Sequence, residues 1–108
     1  MEMRSIKYDK LIRDKIPEII EKSGKKSVTE TLDDLSYKQY LDKKLTEEIE
    51  EYLSSDDVQE LVDLVEVVYA ILRYKSVDIE EFERIRKFKA DERGAFSRRL
   101  LLKEVISE

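Results

Sequence analysis

The chain has 108 residues, 44% of them charged, a formal net charge of −5 at pH 7, and neither Cys nor His. That length sets one domain, residues 1–108, with a single modest core that association with a second copy would help to stabilise. The missing residue types exclude disulfides, thiolate zinc sites, thiol nucleophiles, His-ligated metals and Ser/His/Asp catalysis, which leaves carboxylates, Lys, Tyr and bound metal for any chemistry.

The opening MEMRSIKYDK has no apolar segment of the signal-peptide kind, and no apolar run approaches membrane-spanning length, so a cytoplasmic chain with no membrane partner is expected. Lys7, Lys10, Arg13 and Lys15 make this region basic. Pro17 suits the first turn of a short helix through Glu18 to Lys22, which Gly24 would end in a left-handed cap. SVTETL, Ser27 to Leu32, alternates polar and branched residues and reads as a short extended segment.

Asp33 or Asp34 caps a second helix, on which Leu41, Leu45, Ile49, Tyr52 and Leu53 form an apolar stripe that ends near Leu53. Ser54-Ser55-Asp56-Asp57 breaks it and starts a third helix to about Tyr74. The apolar residues from Leu61 to Leu72 cover well over half the circumference of that helix, more than one partner helix can bury. That helix is expected to be central in the fold, with a subunit interface as one place for its surplus apolar surface. Asp78, with Glu81 three positions on, forms a capping box for a fourth helix that closes at Gly94. Beyond it, Phe96 to Glu108 reads as a strand or a last helix, and as a strand it would pair with Ser27 to Leu32. The fold class is therefore all-α, an antiparallel helical hairpin core of about four helices with room for one short terminal β pair.

Charge is segregated along this frame. Leu45 to Leu72 holds nine acidic residues and no Lys or Arg, while Arg84 to Lys103 holds eight basic residues against Asp91 and Glu92. Within the acidic stretch, Glu48/Glu51 and Glu60/Asp63 are pairs three apart, so each pair offers two carboxylates to one side of a helix. Oxygen-only clusters of this kind suit Mg²⁺ or Mn²⁺. On one continuous helix, Glu51 and Glu60 would lie on opposite faces about 13 Å apart along the axis, and only a hairpin turn at Ser54–Asp57 brings the pairs together. Glu48 falls about 20° from Leu41 on the wheel, a poor place for an unpartnered charge, with Lys44 one turn back as an alternative partner. Asp63 shares a polar arc with Glu66, Ala70 and Arg73, and Glu66 can pair with Arg73.

KLTEEIEEY (Lys44 to Tyr52) followed by ELVDLVEVVYAI (Glu60 to Ile71) resembles the EExxE plus ExxD signature of MazG-like nucleotide pyrophosphohydrolases. YDKLIRDKIPEII (Tyr8 to Ile20) and KADERGAF (Lys89 to Phe96) resemble the opening and closing segments of phosphoribosyl-ATP pyrophosphohydrolase-like members, with Gly94-Ala95 where relatives often carry two glycines. The four segments occur in the right order over nearly the whole chain. The resemblance implies an all-α fold, a homodimer or dimer of dimers, and Mg²⁺, with Mn²⁺ as a possible substitute. It also implies cleavage of a nucleoside triphosphate, or of phosphoribosyl-ATP, between the α and β phosphates to a monophosphate and pyrophosphate. Carried over by residue, it makes Glu48, Glu51, Glu60 and Asp63 metal ligands, Glu47 with Glu48 the catalytic pair, and Lys89 and Arg93 phosphate contacts. Lys10, Arg13 and Lys15 are added as phosphate or ribose contacts on their charge and position, with Asp9, Asp14 or Glu18 as alternative partners.

Two other readings compete. A non-catalytic metal- and nucleotide-binding regulatory module would keep the same ligands. A helical protein whose basic arms bind nucleic acid is disfavoured by the negative net charge, the lack of a helix-turn-helix or zinc pattern, and the lack of interleaved aromatics.

Overall fold

The computed structural model describes residues 4–107. Four helices follow one another: α1 (Ile16–Lys22), α2 (Asp34–Ser55), α3 (Val58–Tyr74) and α4 (Ile79–Arg93), with no strand among the described residues. Among the described residues the expected pairing of Ser27–Leu32 with the C-terminal segment does not form, and Phe96 to Ser107 is neither strand nor helix, Glu108 lying outside the described residues. Val28 is 99% exposed and Leu100, Leu101 and Leu102 are each more than three-quarters exposed. Alternation in those segments marks apolar surface and not backbone pairing.

Local chemistry sets the helix ends. Asp33, Asp57 and Asp78 each take an extended backbone, and their carboxylates accept from the amides of Ser36, Gln59 and Glu81 respectively, which satisfies donors that the first turn leaves free. Pro17 sits in the first turn of α1, and Gly24, at φ +87°, donates to the Glu21 carbonyl to end it. Gly94 at φ +82° ends α4. Of the Gly94-Ala95 pair only Gly94 has positive φ, so the alanine fits its backbone without strain.

The α2–α3 connection is only Asp56 and Asp57. Asp56 takes the left-handed conformation at φ 55° and donates its amide to the Tyr52 carbonyl, and this reversal lays α3 back along α2. Tyr37, near the start of α2, meets Tyr74, the last residue of α3, edge to face at 6.1 Å. The hairpin is therefore antiparallel along its length. The inner line of α2 runs through Leu41, Leu45, Glu48 and Tyr52, whereas Ile49 and Leu53 of the expected stripe are exposed.

α2 packs on α3, and α4 does not return to the hairpin. Among the described residues, Leu41, Val67 and Leu72 are the buried apolar residues, and α3 leaves Leu61, Val62 and Val65 exposed on its second face, so its wide apolar arc exceeds what α2 covers. The chain is 75 × 31 × 24 Å with a radius of gyration of 19.5 Å, where a compact domain of this length would have about 13 Å. No helix among the described residues is long and apolar enough to cross a membrane.

Candidate metal centre

The hairpin places Glu48 of α2 opposite Glu60 and Asp63 of α3. Each offers one carboxylate oxygen to a group whose members all lie within 4.8 Å of one another. Glu60 is in the first turn of α3, so its position depends on where Asp57 starts that helix. Glu48 is buried, with a side chain only 6% exposed. Its Oε1 lies 3.4 Å from Lys44 Nζ one turn back, and its Oε2 has no hydrogen-bond partner. Glu60 Oε2 is likewise enclosed and unpartnered. Two such oxygens on neighbouring carboxylates of one cluster are costly unless a cation or a proton meets them.

The carboxyl groups respond accordingly. Burial pushes Glu48 above the ordinary carboxylate range, Lys44 works against that rise, and the charges of Glu51 and Asp63 add to it. Glu60 is pushed up by desolvation and then by the adjacent Glu51 carboxyl, with further contributions from Asp63 and Glu48. Glu51 therefore belongs to the same electrostatic cluster but stands beside the tight triad and not within it. Glu47 behaves oppositely. Burial would raise it, but Lys10 at 3.2 Å and Lys44 at 3.4 Å outweigh that and hold it below the usual range.

The N-terminal cations reach this centre by a route that sequence did not disclose. Arg13 Nη2 donates to Asp63 Oδ1 at 2.7 Å and Lys10 Nζ to Glu47 Oε1 at 3.2 Å. Their partners are thus fifty and thirty-seven residues away, and not Asp9, Asp14 or Glu18. Lys15 caps α1 through its backbone, is exposed, and makes no ion pair among the described residues. Lys89 and Arg93 lie exposed on α4, which does not pack on the hairpin, so this chain does not bring them to the carboxylates. Glu66 pairs with Arg73 at 3.8 Å, the ordinary ion pair its spacing allows.

An open groove of about 450 Å³ adjoins the centre, lined by Glu47, Glu50, Glu51, Ser54, Ser55 and Glu60. Of these, Glu50 is not singled out by the sequence, and Ser54 and Ser55 are read there only as part of the helix break. Their signal is their place on α2, Glu50 one turn beyond Glu47 and Ser54 and Ser55 two turns beyond the Glu47/Glu48 pair, towards the break. Protein-family models, curated proteins and solved structures were compared with the chain, and none matches it.

Proposed function

We propose that the chain is a Mg²⁺-dependent nucleotide pyrophosphohydrolase that cleaves a nucleoside triphosphate, or phosphoribosyl-ATP, between its α and β phosphates, acting in the cytoplasm as a homodimer or dimer of dimers. The observation that carries this reading is the convergence of Glu48, Glu60 and Asp63 with two enclosed, unpartnered carboxylate oxygens among them. The donor set is all oxygen, which suits a hard divalent ion such as Mg²⁺ or Mn²⁺. Glu48, Glu60 and Asp63 would hold it, with Glu51 alongside. Such an ion supplies charge neutralisation at the phosphates and makes water a better nucleophile.

The protein's own groups do the rest. Glu47 stays ionised at neutral pH because Lys10 and Lys44 flank it, so it can accept a hydrogen bond from the attacking water and orient it. Lys10 and Arg13 provide a point charge and a planar fork for the outer phosphates. Self-association follows from the exposed second face of α3 and the apolar residues of α4 and the C-terminal segment, including Phe88, Phe96 and Leu100. A second copy is also the means by which Lys89 and Arg93 would reach a set of carboxylates that their own protomer does not offer them.

The test is Mg²⁺-dependent pyrophosphate release over a panel of standard and modified nucleoside triphosphates plus phosphoribosyl-ATP. Asp63→Asn and Glu48→Gln should each lower turnover by roughly 100-fold or more with helicity retained. Full activity in both variants would remove the assigned site. Nucleotide binding without pyrophosphate release would favour the non-catalytic regulatory module.

A further inference from the structure

Among the described residues, the segment before α1 has no helix or strand of its own, yet two of its cations hold carboxylates at the acidic centre. Leu11 and Ile12, half-buried, lie between Lys10 and Arg13, and Asp9 just before them turns the chain with φ 47°. Side-chain contacts, not backbone pairing, lay this segment on the hairpin. The oxygen that Arg13 holds belongs to Asp63, one of the three carboxylates that reach a common point. A guanidinium and a divalent ion drawn to one carboxylate repel each other. The Arg13–Asp63 pair is also well exposed, at 53% and 41% of the two side chains, and exposed pairs are held weakly enough to exchange. Both cations, once free, are of the kinds that bind phosphate oxygens, by fork and by point charge.

We propose that Arg13 is an exchangeable cation, which holds Asp63 until a divalent ion takes that carboxylate and then moves, with Lys10 of the same segment, to the phosphates of the substrate. The segment from Lys10 to Arg13 is thereby a strap that couples metal loading to capture of a polyphosphate. This deepens the metal-centre reading and rests on it. It differs from an arrangement in which Arg13 stays on Asp63 and aims it at the metal, because the two give opposite effects when Arg13 is removed.

The experiment uses the full chain. Mn²⁺ binding is measured by calorimetry for the parent, Arg13→Ala and Lys7→Ala, the last a cation of the same segment with no ion pair among the described residues. Arg13→Ala should tighten Mn²⁺ by roughly two- to five-fold, the range spanned by an exposed ion pair, while Lys7→Ala leaves Mn²⁺ affinity unchanged. On the Mn²⁺-loaded protein, Arg13→Ala should weaken binding of a non-hydrolysable nucleoside triphosphate. Since the chain has no Cys, Ser5→Cys takes a single nitroxide, whose mobility should rise on saturation with Mg²⁺. Weaker Mn²⁺ binding in Arg13→Ala, unchanged triphosphate affinity, or a label indifferent to Mg²⁺ overturns the exchange while leaving the metal centre in place. A parent chain that binds no Mn²⁺ overturns the metal centre and the exchange together.

Discussion

Glu48 is where folding and chemistry oppose each other most directly. Its side chain is enclosed beside two other carboxylates with only Lys44 to offset it, so it costs stability whenever it is charged and unmet by a cation. In chelator, Glu48→Gln should stabilise the fold by about 1 kcal/mol in urea unfolding, even as it removes turnover. The pH dependence follows from the same oxygens. Glu48 and Glu60 lie above their ordinary value of 4.5, so the native chain keeps protons there that the unfolded chain has released. The native state thus binds more protons between 4.5 and the raised values, and stability must increase as pH falls through that window. Glu47, held below 4.5 chiefly by Lys10 and Lys44 against its burial, acts in the other sense, and its contribution is lost only as pH falls through that lower value. The chelated protein should therefore melt higher near pH 5 than near pH 7, checked by melting curves across that range, and Glu48→Gln should flatten the difference.

At the level of elements, the reversal between α2 and α3 decides whether the carboxylates meet. Asp56 pays the strain of a left-handed residue with a side chain, so Asp56→Gly should stabilise by up to about 1 kcal/mol, read as a higher melting temperature. Asp57→Ala removes the cap that starts α3 and should cost about 1 kcal/mol. It should also weaken Mn²⁺ binding, because Glu60 is in the turn it releases. These caps were legible in the sequence because an aspartate and the amide it accepts from are two or three residues apart. Glu48, Glu60 and Asp63 were legible for a related reason, since once the break is read as a reversal, helical spacing alone aligns them. Arg13 with Asp63 was not, because nothing local to Arg13 marks a partner on another helix. The position of α4 was equally hidden. Its apolar residues Ile85 and Phe88 signal that they need cover, but do not specify which surface provides it.

Taken whole, the molecule is a hairpin with long, basic extensions that expose apolar side chains, and one copy does not bury what its sequence would need to bury. Three buried apolar side chains at about 1.5–3 kcal/mol each are a small return for ordering 104 described residues, so the proposed self-association should be strong. Light scattering should give two or four times the 12.9 kDa of the chain, and Val62→Glu with Val65→Glu on the exposed face of α3 should shift the mass down and lower helicity together. The two-residue turn has one more consequence, in the order of events as the chain folds. Glu48 and Glu60 are separated by a short loop, whose closure entropy is small, and contacts so local form early in folding. Their mutual repulsion then belongs to the barrier and not only to the finished state. Glu60→Gln should accordingly quicken refolding in a stopped-flow experiment while barely altering the unfolding rate, which makes the residues reserved for chemistry a brake on the birth of the fold that carries them.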